Sequence, residues 1–378
     1  MSIFSHSSCI LGCFITLMSK LLFLFSDLFF TYAASSRFRT DVKRWRLFAD
    51  MSVDIGITLE VAATLFPKSF FLPCICLGNM FKAICGVAAG ACGGSINLYW
   101  AKGSDISDIN AKFGAQNTVS GAIGIVFAGL FAKSVNQIAP KGLWLMYFFL
   151  TYLHLFGNVM CMRIISFDYL NTVRLGMILR NYTTGNNEWL TQLPSPRDIA
   201  KHEPLWFTVP ALKRTLKRRK ALPPIHFGVA YDEFCKRSWK SVESLKSEII
   251  KIGIRSKDGC ETDQIDDGYI ISTGHQTFPR SSKNEISKSC IVVSFLRNVS
   301  PKQQIRAYVH AWLLASILQE RCVKGQKAID LNDQLEIEAK AKTQLESLWG
   351  QFQQSCSDAG WDLSKSELQT LGYEIEVA

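Results

Sequence analysis

FFLPCICLGNMFKAICGVAAGACGGSINLYW, residues 70–100, decides how the rest of the chain is read. The run exceeds the roughly 20 residues a helix needs to cross a bilayer, and Lys82 is its only charged residue. Pro73 suits a helix start, and Gly86, Gly90 and Gly94, spaced by four, fall on one helical stripe. In water each interior glycine costs a helix roughly 0.5–1 kcal/mol relative to alanine. In lipid the same bare stripe lets two backbones approach and gain dispersion contacts. The alternative is a helix buried in a water-soluble core at a tight crossing.

Working outward, residues 114–132 repeat the device: Ser120, Gly124, Ala128 and Ala132 recur every fourth position of an apolar helix. Two neighbouring helices with smooth faces predict a tightly packed pair, joined by a polar loop, Lys102 to Lys112. Residues 143–162 form a third apolar run, with Trp144 and Tyr147 suited to an interfacial aromatic belt. The helical pattern continues over 164–180 with Asp168, Arg174 and Arg180, as in a helix leaving the bilayer or turning along its surface.

Upstream, residues 9–34 could span a bilayer, interrupted by Lys20 and Asp27; a signal peptide, a targeting segment and a first membrane helix all fit. Between this run and the glycine-rich one lies an amphipathic stretch from Trp45 to Glu60. Its Arg46, Asp50 and Asp54 share one helix face and can pair, while Leu47, Phe48, Met51, Ile55 and Leu59 take the other. That is too charged for a lipid-exposed span, so the stretch is expected at the interface or against other helices.

The totals for the 378 residues, mean hydropathy +0.11 and 20% charged, average two unlike halves. Charges are sparse up to about Met162 and common from Arg163 onward. Much of the net charge of +10 sits in two clusters, Arg37 to Arg46 and Lys213 to Lys220. Beside apolar helices such clusters attract anionic lipid; without interleaved aromatics or a binding module they do not predict a nucleic-acid partner. The twelve cysteines include no C-x-x-C and no metal-ligand spacing, and are read as buried thiols.

The expected fold is mainly α: a multi-helix, membrane-associated domain with glycine-rich helices, followed by a smaller soluble α+β domain. Its divisions are an N-terminal apolar segment (1–37), the helical membrane domain (38–182), a proline-rich basic linker (183–224) and the C-terminal domain (225–378). In the last, strands are expected at Ile225–Val229, Gly268–Ser272 and Cys290–Leu296, and a helix from Asp232 to about Ile252. Ser300-Pro-Lys-Gln303 reads as a capping box opening a helix that buries Ile305, Tyr308, Val309, Trp312 and Ser316. Another helix is expected over Leu331–Gln354, and Trp361–Val377 adds a final strand or two.

Polar side chains inside apolar helices are costly and invite a functional reading. Asn79, Lys82, His154 and Asn158, with Glu60 at the end of the amphipathic stretch, either line a path for a small polar solute or pair and fix the packing. His202, His226, His275 and His310 are scattered, and the glycines match neither a phosphate loop nor a dinucleotide fingerprint. No catalytic, cofactor-binding or metal-ligating residue is predicted.

Lys43 to about Lys133 resembles the signature region of the root UVB sensitive (RUS) family. The ordered pieces are Lys43-Arg-Trp-Arg-Leu-Phe-Ala-Asp50, Asp54-Ile-Gly-Ile-Thr-Leu-Glu60, Leu65-Phe-Pro67, Leu77-Gly-Asn79, Lys82-Ala83 and Gly86-Val-Ala-Ala-Gly-Ala91. Asp108-Ile-Asn-Ala-Lys112 and Gly114-Ala-Gln116 follow, and a weaker likeness runs on to Trp361 and Gly372-Tyr373. Family members carry a Pro-x-Gly-Tyr-Pro element upstream that is missing here. The resemblance implies a membrane-associated protein of unassigned biochemistry, in a family linked to UV-B response, early seedling development and vitamin B6 homeostasis, some members acting in plastids as partners of one another. The first expectation is a non-enzymatic membrane protein working through partners, a family relative among them. The alternative is a small-solute transporter or channel subunit, linked to auxin or B6 vitamers. The motif residues Trp45, Asp50, Asp54, Glu60, Asn79, Lys82, Gly86 and Gly90, with Gly94, His154 and Asn158, are the candidates for function or packing.

Overall fold

A computed structural model describes residues 20–35, 37–103, 105–135, 140–183, 193–207, 222–238, 240, 268–276, 288–296, 298–323, 331–368 and 374–375. The chain divides into two compact units: Met1–Ser166 with Pro204–Phe207, and Phe167–Glu203 with Thr208–Ala378.

The first unit is helical: α1 (residues 20–35), α2 (Val42–Ala63), α3 (Lys68–Ala101), α4 (Ile106–Val135) and α5 (Pro140–Ile164). Among the described residues three helices are long and apolar enough to cross a membrane, over Lys68–Ala101, Ile106–Ser134 and Gly142–Ile164. At 1.5 Å per residue, the 34 residues of α3 extend about 51 Å, beyond a hydrocarbon core of about 30 Å. The charge density of α2 keeps it out of that class. It lies against α3 instead, with Ala49 of α2 and Ala88 of α3 buried in one cluster.

The crossing of α2 and α3 is backbone on backbone. A Cβ added at Gly56 would stand 2.7 Å from the Gly78 carbonyl oxygen, and one added at Gly78 2.8 Å from that of Gly56. This corrects the expected place of closest approach. Gly86, Gly90 and Gly94 are exposed, and an added Cβ there meets no atom within 4 Å; the same holds at Gly121 and Gly124. Gly78 faces α2 while the glycine stripe is left exposed, and among the described side chains of α4 none is buried.

Two local expectations also change. Pro73 lies inside α3, not at its start; Pro67 is the N-cap residue, so Pro73 interrupts the bonding just beyond the first turn. The helical pattern of 164–180 is broken after Ile164, where the chain enters the second unit as strand β1 (Tyr169–Asn171) and then helix α6 (Thr172–Thr183). The Asn171 side chain accepts from the Arg174 amide at 2.8 Å and caps the new helix. Arg174 is buried, its guanidinium 5.0 Å from the ring centroids of Phe167 and Tyr169. Its Nε donates to Glu203 at 3.1 Å, an ion pair with both side chains under a tenth exposed. It is a core clamp and not a lipid-surface charge.

The second unit continues with α7 (Pro196–His202), β2 (Ile225–Phe227), α8 (Tyr231–Arg237), β3 (Tyr269–Gln276), β4 (Lys288–Leu296), α9 (Pro301–Val323), α10 (Leu331–Asp358), β5 (Asp362–Glu367) and β6 (Glu374–Ile375). Strand β4 is central: β3 pairs antiparallel along one edge, and β2 and then β6 pair parallel along the other. Strands β1 and β5 form a separate parallel pair. Helix α9 opens as its sequence predicts, with Ser300 N–H donating to Gln303 Oε1 and Gln303 N–H to Ser300 Oγ. Ile305, Tyr308, Val309 and Trp312 are buried in one core with Ile291 and Val293 of β4 and Leu345 and Phe352 of α10. Of the helix expected from Asp232 to Ile252, the part to Arg237 is observed in α8, and residues 241–252 lie outside the described set.

Candidate functional site

The residues singled out for function converge on α2. Its charges cannot face lipid cheaply, so they turn toward α3 and α5. Toward α3, Lys82 Nζ meets Glu60 Oε2 at 2.5 Å, beside the Gly56–Gly78 crossing. A charge on a spanning helix thus has a carboxylate of opposite sign one helix away.

Toward α5 the bridge is longer. Tyr147 and His154, seven apart, share a face of α5, and Asp54 and Thr58, four apart, share one of α2. The Tyr147 hydroxyl lies 2.7 Å from Thr58 Oγ1 and 3.2 Å from the Asp54 carbonyl oxygen. His154 Nδ1 sits 3.0 and 3.1 Å from the two carboxylate oxygens of Asp54. The Asp54 side chain is 13% exposed and that of His154 41%, so the pair is shielded on the α2 side and open on the other. Asn158 donates to the His154 carbonyl at 3.1 Å, a bond within α5.

One turn before Asp54, the expected Arg46–Asp50 pair forms at 3.1 Å. Asp54 does not extend that row, because its carboxylate is taken by His154. Asp50 is 3% exposed, and its second oxygen has no hydrogen-bond partner. Burial pushes its carboxyl above the usual range, with Arg46 and His154 pulling the other way. At the start of α2, Trp45 closes an aromatic cluster with Phe38 at 5.0 Å and Phe207 at 4.9 Å, and donates to the Arg37 carbonyl.

The structure therefore gathers Asp50, Asp54, His154, Glu60 and Lys82 around one helix, and leaves Gly86, Gly90 and Gly94 on a bare outer stripe. Asn79, next to Gly78 on α3, is partly buried. Reading by spacing missed Gly56, Gly78, Thr58 and Tyr147. A glycine at position 56 inside a charged amphipathic helix was the available signal, since its cost there needs a compensating close contact. Outside the spans, Cys356 is pushed up to about 12 by burial, and Cys290 is raised for the same reason, so neither is an activated nucleophile. Among the described residues no three His, Cys, Asp or Glu side chains converge as a metal site.

Two family descriptions match the chain: "Vitamin B6 photo-protection and homoeostasis domain" over residues 7–186, and "Root UVB sensitive protein, C-terminal" over residues 281–372. The chain is 25% identical over 303 residues to protein root UVB sensitive 3 of Arabidopsis thaliana, covering 79% of this chain and 60% of that protein. It is 31% identical over 171 residues to RUS family member 1 of Dictyostelium discoideum, covering 45% of this chain and 32% of the relative. Against protein root UVB sensitive 2, chloroplastic, of Arabidopsis thaliana it is 34% identical over 173 residues, 46% of this chain and 38% of the relative. The chain thus spans between about a third and three fifths of the length of these relatives. No solved structure matches.

Proposed function

The chain belongs to the root UVB sensitive family, and from that membership we propose that it is a non-enzymatic membrane protein working through protein partners in UV-B response, early seedling development and vitamin B6 homeostasis. The name of its first matched domain supports the vitamin B6 part. The word chloroplastic in the name of one relative supports a plastid membrane. The observation that carries the partner reading is the bare stripe of Gly86, Gly90 and Gly94, exposed beside an α4 none of whose described side chains is buried. Smooth helix faces are where backbones of neighbouring subunits approach in lipid.

The polar groups favour the same reading over a solute path. Lys82 and His154 are both engaged by carboxylates of α2, an arrangement that fixes helix packing. The test is co-purification of the tagged full chain from membranes with a second copy of itself or a family relative. Gly90→Leu should abolish capture while the variant still accumulates in the membrane; capture at the wild-type level contradicts the proposal.

A further inference from the structure

We propose that the start of α2 carries a binding surface for anionic lipid headgroups, in which Arg37 and Arg39 supply the charge and Trp206 and Phe207 sit at the boundary between bilayer and water. Its depth follows from helix register. Tyr147 meets Thr58 and His154 meets Asp54, so α2 and α5 run antiparallel. Arg44, ten residues before Asp54, lies about 15 Å along α2 from that pair, and Arg163, nine residues after His154, about 14 Å along α5. The two arginines therefore stand at one level, where Arg163 ends the apolar run of α5. A cation that closes a span marks the headgroup region. Arg44 shares it.

The fold brings a second piece of chain to this level. Arg44 Nε donates to the Pro204 carbonyl at 2.9 Å, and the Phe207 ring lies 4.9 Å from that of Trp45. Trp206 and Phe207 are nonetheless each 45% exposed. Such rings are costly in water and favoured at the membrane boundary. Helix α1 points the same way. Its Phe25, Phe29 and Tyr32 are 68%, 74% and 88% exposed, and exposed Arg37 and Arg39 follow. Phe30 pins α1 to the same cluster, 6.0 Å from Trp45. Apolar surface thus gives way to aromatic rings and then to cations, as a bilayer gives way to headgroups and water. Over residues 28–50 five cations, Arg37, Arg39, Lys43, Arg44 and Arg46, face two acids, Asp41 and Asp50, a surplus of three. Arg44 and Arg46 hold those acids at 3.6 and 3.1 Å, and Lys43 is buried, so Arg37 and Arg39 present the outward charge. That sign selects anionic over zwitterionic lipid.

This rests on the membrane reading of α3, α4 and α5 and not on the glycine stripe. The experiment is tryptophan quenching on the full-length protein in mixed micelles holding brominated phosphatidylglycerol or brominated phosphatidylcholine, with the signal of Trp206→Phe subtracted to isolate Trp206. The phosphatidylglycerol should quench Trp206 at a several-fold lower mole fraction, since each cation near an anionic surface is worth about fivefold in affinity. In Arg37→Gln/Arg39→Gln the preference should vanish while quenching by phosphatidylcholine stays. Both side chains are exposed, and the Arg37 carbonyl that accepts from Trp45 is kept. Without any substitution, salt raised to about 1 M should weaken the preference by screening. Equal quenching of Trp206 by both lipids, or a preference untouched by the double variant and by salt, overturns the assignment. A Trp206 shielded from both lipids while other tryptophans are quenched also overturns it, and points to a protein partner. Quenching of no tryptophan by either lipid overturns the membrane reading with it.

Discussion

Gly56→Ala tests where the helices touch. The new Cβ would stand 2.7 Å from the Gly78 carbonyl oxygen and 3.1 Å from Lys82 Cγ, whereas ordinary contact begins at 3.4 Å. Removing the shortfall moves α2 and α3 apart by about 0.7 Å at the crossing, the difference of those two distances. A gap of that size forfeits roughly a quarter to a half of the dispersion well for the atoms lining it. Overpacking of this kind costs about 1–3 kcal/mol, while alanine for glycine in a helix returns roughly 0.5–1 kcal/mol. The balance is a loss of about 1–2 kcal/mol. At Gly90 the added methyl meets nothing within 4 Å, so Gly90→Ala should be neutral or slightly stabilising in the isolated chain. Denaturant or thermal unfolding of the full chain in detergent reads both. Equal stability of Gly56→Ala and wild type, or an equal loss at Gly90→Ala, refutes the placement of the crossing.

Arg174→Met strands the Glu203 carboxylate in the core and should cost about 3–5 kcal/mol in the same unfolding assay; a variant as stable as the wild type contradicts the clamp. Gly274→Ala puts a methyl on the Arg237 carbonyl where β3 meets Ser238, so accumulation of folded protein should fall sharply, and a normal yield refutes that contact. Burial, and then the Arg237 guanidinium, holds the His226 imidazole below its ordinary value. Its neutral form contributes stability that is present above about pH 6.5 and lost as pH falls below it, because the unfolded chain protonates first. Unfolding midpoints between neutral and mildly acidic pH should therefore fall less in His226→Gln than in wild type, and parallel curves exclude the effect.

Local rules carried far in the C-terminal half. The capping box at Ser300 and the buried spacing from Ile305 to Trp312 were readable because both depend on residues within a turn or two of each other. The same locality gave the Arg46–Asp50 pair, one turn apart on α2. What spacing could not give was the partner of Asp54, since His154 lies 100 residues away. Nor could it say which glycines meet a neighbour. Gly86, Gly90 and Gly94 form a regular stripe, whereas Gly56 and Gly78 look isolated in sequence and meet only through the crossing of two helices. Arg174 was misjudged for a related reason: a charge after an apolar run reads as a surface residue until Glu203 is brought to it.

Membrane embedding of α3, α4 and α5 underlies the rest, and extraction of the full-length protein tests it most directly. The protein should stay with the membrane pellet through alkaline carbonate and enter the supernatant only with detergent. A folded, monodisperse protein in the high-speed supernatant without detergent would contradict the account.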